Sequence, residues 1–254
     1  MRYGIVGYGR IGQRLAARLP GAVAILGRGA TLDGLTSARP EVVVECASAA
    51  ALAEYGPAIL AAGIDLVPLS LTALADPGVE RRLMAAAKVG PGRLELAPGA
   101  IGTLDLLASA REDGLRRVVY RQLESAAVGR VWPAAGGLRV LLYPKLKSPA
   151  MWGLTPAAAL ADLASIRRRR VFFKGSVREL ARLMPDNLNT SVGVALAGLG
   201  LDATEAELVA DPAINETAHE LEVHAAPGTA VLRLGGPEGA PDGVPVDYTA
   251  FRVL

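Results

Sequence analysis

The chain begins with a short apolar segment, a turn containing three glycines and an amphipathic segment, and this run limits the possible folds more than any other feature. The turn is Gly7-Tyr8-Gly9-Arg10-Ile11-Gly12. In a strand, turn and helix of this kind, the first glycine allows the tight turn, the second lets a pyrophosphate approach, and the third lets the helix pack closely on the sheet. The amides at the helix start then face the anion. We therefore predict a dinucleotide cofactor bound by Gly7, Gly9, Arg10, Ile11 and Gly12.

Strand and helix patterns alternate through the first hundred residues. Apolar strands are predicted at 22–26, 40–48, 64–70 and 93–97, with helices at 50–62 and 77–89. This alternation is typical of a parallel sheet whose ligand lies at the carboxyl ends of the strands. The predicted fold class is α/β, with an N-terminal Rossmann-type doubly wound parallel sheet and a second α+β domain.

The predicted strand ends supply further cofactor candidates. Cys46, Ala47 and Ser70 are small residues that leave room for a nicotinamide-ribose. Arg28 follows the second strand, where an NAD-specific site usually carries a carboxylate, and an arginine there can meet a 2′-phosphate. The cofactor is therefore predicted to be NAD or NADP, with Arg28 as a ligand or as an ordinary exposed residue. Cys46 can be interpreted as a nucleophile or as a small packing residue. Its position in a buried apolar strand favours the packing interpretation.

Charge and cysteine content exclude several classes of protein. Lys and Arg number 27 against 25 Asp and Glu, so there is no basic field for nucleic acid or an acidic membrane. The four arginines at 167–170 have two interpretations. They are either a solvated cluster or a contact with a phosphate group or a second subunit. A single cysteine excludes an internal disulfide and a multi-cysteine metal site. With no leader sequence and no apolar segment of membrane-spanning length, we expect a cytoplasmic protein.

The second half is strand-rich after a predicted helix at 101–113. Strands are predicted at 116–123, 138–143, 171–173, 206–210, 218–224 and 229–234. This pattern suggests an antiparallel sheet with helices on one face. We predict a dinucleotide-binding domain at 1–114, a substrate and catalytic α+β domain at 115–239, and a C-terminal segment at 240–254 that packs back on the first domain.

Two features of this half are candidates for chemistry. A nearly uncharged helix at 187–200 must be buried, and the polar residues at its start, Asn189 included, cap it or bind a ligand. His219 and His224 are the only histidines and lie five apart on a predicted strand, so they face opposite sides and cannot share a zinc ion. No metal site is predicted. An inward histidine serves as a general acid/base or as a structural residue.

Several ordered segments together resemble the L-aspartate dehydrogenase family. They are the glycine turn and residues 43–47, 96–105, 173–179, 184–189, 195–200 and 210–219. The resemblance implies reversible oxidative deamination of L-aspartate with NAD or NADP, through iminosuccinate to oxaloacetate and ammonia, and in some organisms a role in NAD biosynthesis. It also implies that His219 is the catalytic residue and that Ala100 and Asn189 contact the cofactor. A homodimer is expected.

The chain departs from the family pattern in an extra stretch between Tyr120 and Lys145 and at its C-terminus. The residues that bind the substrate carboxylates therefore stay open, with Lys145, Lys147 and Lys174 as candidates or as solvated lysines. Two other functions also stay open. One is a related dehydrogenase acting on another amino acid or a semialdehyde, and the other is a non-catalytic NAD(P)-binding regulator.

Overall fold

The computed structural model describes residues 1–97, 104–125, 167–183, 188–214 and 218–235, and these form two compact units. The described residues up to Ala97 belong to the first unit, and those from Leu104 onward belong to the second. The domain limits at 114 and 239 stay predictions. The C-terminal segment at 240–254 lies outside the described residues.

The first unit is built on a parallel sheet of four strands in the order β2-β1-β3-β4. The strands are β1 (Tyr3–Val6), β2 (Ala22–Leu26), β3 (Val42–Glu45) and β4 (Asp65–Pro68). The helices are α1 (Arg10–Arg18), α2 (Leu32–Ser37), α3 (Ala49–Ala61) and α4 (Pro77–Val89), with a 3-10 helix at Leu71–Ala75. Apolar strand residues such as Ile5 and Val44 pack with Leu15 of α1 in one core. The predicted Rossmann-type fold is confirmed, because consecutive strands are parallel and joined by helices.

Local sequence signals explain one helix boundary, and the sheet edge explains a difference from prediction. The Asp76 carboxylate accepts hydrogen bonds from the amides of Gly78 (2.6 Å) and Val79 (3.2 Å), and Pro77 occupies the first turn, so α4 begins where predicted. The strand predicted at 93–97 is reduced to a single bridge between Leu94 and Leu66. The apolar pattern predicted that this segment pairs with the sheet, but it did not indicate that the pairing is limited to one residue.

The second unit is a mixed sheet of five strands in the order β6-β7-β5-β8-β9. Its strands are β5 (Arg117–Ser125), β6 (Arg170–Ser176), β7 (Glu205–Asp211), β8 (Ala218–Ala225) and β9 (Gly228–Gly235), and its helices are α5 (Leu104–Glu112), α6 (Val177–Leu183) and α7 (Asn189–Ala197). The expectation of an antiparallel sheet was wrong, because β5 and β7 pair in parallel. The apolar pattern of a strand does not encode the direction in which the chain returns. The strand predicted at 138–143 lies outside the described residues.

The two faces of this sheet have opposite character. On one face, Val118 and Tyr120 of β5 and Leu221 of β8 are fully buried under helices, with α7 contacting β5 and α5 contacting β8. On the other face, Arg121 forms ion pairs with Glu207 (2.6 Å), Glu220 (3.0 Å) and Glu222 (2.7 Å). We call these faces the helix face and the charged face. Strand alternation separates them, since successive side chains point to opposite sides.

Candidate active site

The glycine turn has the geometry of a phosphate-binding loop. Gly7 has a φ of +96°, and a Cβ there would lie 2.7 Å from the Cα of Ala47. A Cβ on Gly12 would lie 2.2 Å from the carbonyl oxygen of Gly7. The protein itself therefore requires glycine at both positions, since real Cβ contacts are never so short.

Gly9 differs from its two neighbours. It precedes α1 with a φ of −80°, and a Cβ there would meet nothing within 4 Å. Gly9 also has no side chain that could cap the amides of α1, and the first turn of that helix contains no acidic residue. The open space at the positive end of the helix fits the pyrophosphate of a dinucleotide. At the start of α1, Arg10 is exposed, whereas the side chain of Ile11 packs against the core, so only the backbone of Ile11 suits a ligand.

The carboxyl ends of β1 and β3 meet beside this turn. The chain reverses the order of strands here, because β2 lies on one side of β1 and β3 on the other. Such a switch point forms the ligand crevice of open α/β sheets. The amide of Cys46 donates to the carbonyl of Val6 at 2.9 Å, and the Cys46 Sγ lies 3.4 Å from the carbonyl oxygens of Val6 and Gly7. Ala47 is exposed next to it.

The thiol of Cys46 is not a nucleophile near neutral pH. Burial raises its pKa to about 12, and the neighbouring Glu45 carboxylate adds to this rise. Because the thiolate is the reactive species, a thiol with this pKa is inert. The packing interpretation of Cys46 is therefore the one that the structure supports.

Glu45 is a buried carboxylate that the sequence reasoning did not assign a role. It is 1% exposed and accepts hydrogen bonds from the amides of Ala47 (2.8 Å), Ser48 (3.0 Å) and Ser70 (3.1 Å), and from the Ser70 hydroxyl (3.0 Å). Burial raises the pKa of this carboxyl, and these hydrogen bonds oppose the rise. Glu45 thus joins the loops after β3 and β4, which carry the cofactor candidates Ala47 and Ser70. A glutamate at the end of an otherwise apolar strand was the available signal.

Arg28 lies in the turn after β2 and is exposed. The nearest downstream carboxylate, Asp33, belongs to the first turn of α2 and not to the strand end. The position is therefore compatible with an arginine that meets a 2′-phosphate.

His219 lies on the helix face of the second unit and contacts a buried tyrosine. Its Nδ1 lies 2.7 Å from the hydroxyl oxygen of Tyr120, and the two ring centroids are 5.9 Å apart. Burial lowers the pKa of His219 from 6.5 to about 4, so the imidazole is neutral near pH 7. His224 faces the charged side, where its Nε2 pairs with Glu222. The two histidines therefore lie on opposite faces, as their spacing predicts.

The buried helix predicted at 187–200 is α7, described from Leu188 onward. Asn189 is its first residue and is half-buried. The Ser191 hydroxyl is buried and donates to the carbonyl of Leu188 at 2.7 Å, so this donor is satisfied within the helix, and no described side chain caps the first amides of α7. Ala100 lies outside the described residues.

The candidate substrate lysines are only partly described. Lys174 forms an ion pair with Glu207 at 3.4 Å on the charged face, away from His219, so this lysine does not serve a substrate held at the imidazole. Lys145 and Lys147 lie outside the described residues. Of the arginine cluster at 167–170, Arg169 pairs with Glu220 at 3.2 Å and Arg170 begins β6.

Two further features of the described ranges concern metal binding and membrane insertion. There, His, Cys, Asp and Glu side chains do not gather in groups of three or more that could hold a metal ion. In the same ranges, no helix combines the length and apolar character required to cross a membrane.

A glycine-turn unit followed by a mixed-sheet unit with one half-buried histidine on its helix face defines a dinucleotide-binding α/β protein with a second α+β unit. Two family models match, "Homoserine dehydrogenase, NAD binding domain" over residues 28–97 and "Aspartate dehydrogenase, C-terminal" over residues 131–241. The chain belongs to the L-aspartate dehydrogenase family, because it is 36% identical over 251 residues to the L-aspartate dehydrogenase of Serratia proteamaculans (strain 568), covering 91% of this chain and 86% of that relative. The predicted family is confirmed.

Other relatives agree with this assignment. The L-aspartate dehydrogenase of Cupriavidus necator is 37% identical over 234 residues, which cover 92% of this chain and 79% of that relative. The crystal structure of aspartate dehydrogenase from Thermotoga maritima matches with a TM-score of 0.70 and 24% identity, covering 100% of this chain and 94% of that chain. This structural match supports the fold described above.

Proposed function

We propose that this protein is an NAD(P)-dependent L-aspartate dehydrogenase. The reaction converts L-aspartate, NAD(P)⁺ and water into oxaloacetate, ammonium, NAD(P)H and a proton, and it is reversible. The observation that carries this proposal is the identity with L-aspartate dehydrogenases over nine-tenths of the chain. The open glycine turn and the neutral, half-buried histidine are the two features that this chemistry needs.

The cofactor would be held chiefly by the first unit. The backbone at Gly7, Gly9, Arg10, Ile11 and Gly12 would bind the pyrophosphate, and Arg28 would meet a 2′-phosphate when the cofactor is NADP. Cys46, Ala47 and Ser70 at the strand ends would contact the nicotinamide-ribose, and Ala100 and Asn189 would complete the site. When bound, the nicotinamide supplies the acceptor for the hydride that leaves the α-carbon of the substrate.

His219 would move the protons of the reaction. The α-ammonium group of aspartate has no lone pair with which to form a C=N bond, so a base must first remove a proton. The neutral imidazole can take it and, once it has released that proton to solvent, the same group can deprotonate the water that attacks the imine. Burial lowers the pKa of His219 to about 4 in the free protein, whereas the two carboxylates of a bound aspartate would raise it toward a more useful value.

The proposal also includes a homodimer in the cytoplasm. β9 is the last strand of the described sheet, and its Val231 is 62% exposed, so pairing with a second copy along this edge would cover that side chain. The single, free cysteine suits a reducing compartment. Light scattering after size-exclusion chromatography measures the mass and separates monomer from dimer.

The activity test follows the absorbance of the reduced nicotinamide, with L-aspartate and NAD or NADP in separate assays. Glutamate, alanine and aspartate semialdehyde are compared under the same conditions. If the enzyme turns over one of these compounds faster than aspartate, that compound is the substrate and aspartate is not. If the protein binds the cofactor but turns over none of them, it is a regulator and not an enzyme.

The role of His219 is tested with His219→Ala, which should lose most turnover and still bind the cofactor. His224→Ala is the matched control, because this histidine lies on the same strand but on the charged face. Activity that survives in His219→Ala would show that the assigned base is wrong.

A further inference from the structure

We propose that Tyr120 is a positioning residue for His219 and holds it in the tautomer whose Nε2 is free to accept a proton. This inference rests on the proposed role of His219 as the base. It assigns a function to a residue that neither the glycine turn nor the family resemblance singled out.

The contact is built into the pairing of two strands. In the antiparallel pair of β5 and β8, Tyr120 lies opposite Leu221 and Gln122 lies opposite His219. Tyr120 and His219 are therefore diagonal neighbours on the same face, where aromatic side chains reach each other. The hydroxyl oxygen lies 2.7 Å from Nδ1, a hydrogen-bond distance that fits either group as the donor. In the tautomer assigned here, the Nδ1–H donates and the phenol oxygen accepts.

Burial fixes the tyrosine in place. Tyr120 is 0% exposed in the helix face, between the buried side chains of Val118 on its own strand and Leu221 on the next. A large ring in such a packed layer has no alternative rotamer without displacing its neighbours. The hydroxyl is thus a fixed point against which the imidazole is oriented.

A phenol oxygen at Nδ1 can fix the tautomer without adding a charge, which distinguishes it from the carboxylate that often accompanies a catalytic histidine. A carboxylate at Nδ1 would stabilise the imidazolium and raise its pKa, whereas a neutral hydroxyl does not. The carboxylates of Glu220 and Glu222 on the same strand lie on the charged face, where Arg121 pairs with both. The hydroxyl oxygen can accept the Nδ1–H both before and after Nε2 gains its proton, so the contact survives the whole catalytic cycle.

The tautomer can be observed directly, without any activity assay. The chain contains only two histidines, so a ¹⁵N-detected imidazole spectrum contains two ring systems, and His224→Gln assigns them. In the unmodified protein we expect the proton on Nδ1 of His219 and a bare Nε2. In Tyr120→Phe we expect the proton to move largely to Nε2, the tautomer that free histidine prefers.

The kinetic readout is the separation of kcat from KM. Tyr120→Phe should lower kcat about tenfold to a hundredfold, a part of what a general base contributes, with the KM for aspartate and for the cofactor changed less than about threefold. Tyr3→Phe is the matched control, because Tyr3 is 1% exposed, belongs to the first unit and donates its hydroxyl to the carbonyl of Leu19 at 2.7 Å instead of contacting a histidine. It removes an equivalent buried hydroxyl and should leave kcat unchanged.

The outcomes separate this inference from the proposed function. A bare Nδ1 in the unmodified protein, or an unchanged tautomer and kcat in Tyr120→Phe, would overturn the role of Tyr120. Absence of turnover with aspartate in the unmodified protein would overturn the function instead, and the spectrum would still report whether Tyr120 sets the tautomer. If Tyr120→Phe fails to fold, the spectrum of the unmodified protein decides the question.

Discussion

Acidification should destabilise the protein through His219 well above the pH at which carboxylates titrate. Burial lowers the pKa of this imidazole from 6.5 to about 4, so the unfolded chain binds its proton first as the pH falls. Stability from this group is fully present above the unfolded pKa and is lost between about pH 6.5 and pH 4. From the two pKa values, the loss relative to pH 7 is about 1 kcal/mol at pH 5.5 and about 2 kcal/mol at pH 4.5.

The assay is urea unfolding followed by circular dichroism at several pH values, for the unmodified protein and for His219→Gln. The difference between their pH dependences isolates the contribution of His219, because the other titrating groups are common to both. His224→Gln is the control and should retain the full loss of stability, since it leaves the His219 imidazole intact. Equal slopes for the unmodified protein and His219→Gln between pH 7 and pH 4.5 would refute the reasoning.

Three further predictions concern the loop, the cofactor and the charged face. Gly9→Ala should fold normally, since its Cβ meets nothing within 4 Å, but calorimetry should show NAD(P) binding weakened by about tenfold or more. The control Gly34→Ala should bind NAD(P) as tightly as the unmodified protein does. Unchanged affinity in Gly9→Ala would contradict a pyrophosphate at Gly9. Arg28→Ala should raise the KM for NADP by about tenfold and leave that for NAD nearly unchanged, and an equal effect on both would remove Arg28 from the site. Arg121→Met should lower the free energy of unfolding by about 3 kcal/mol, because it leaves three partly buried carboxylates without their shared partner. A loss below about 1 kcal/mol in urea unfolding would show that the ion pairs contribute little.

Features determined by neighbouring residues were predictable from the sequence. The turn glycines, the start of α4 at Pro77 and the start of α6 follow from signals a few residues long. At α6, the Ser176 hydroxyl accepts from the amide of Glu179 (3.2 Å) while the Glu179 carboxylate accepts from the amide of Ser176 (2.8 Å), a complete capping box.

Features that depend on distant residues were not predictable. Tyr120 and His219 are 99 positions apart, and the pattern of either strand alone does not show that the two will be diagonal neighbours. The parallel pairing of β5 with β7 depends on the path of the chain between them. Two of the four hydrogen bonds of Glu45 depend on the approach of Ser70, which follows the neighbouring strand β4. In each case the missing information was the register or direction of pairing.

The three turn glycines are under two different kinds of selection. At positions 7 and 12 the protein's own backbone leaves no room for a Cβ atom. A substitution there should therefore lower the abundance of the folded protein even in cells that do not need the enzyme. Position 9 is open, and a variant there should accumulate to normal abundance yet disappear when growth depends on turnover. A mutational scan scored once for abundance and once for growth would separate the glycine kept for its ligand from the two kept for the architecture.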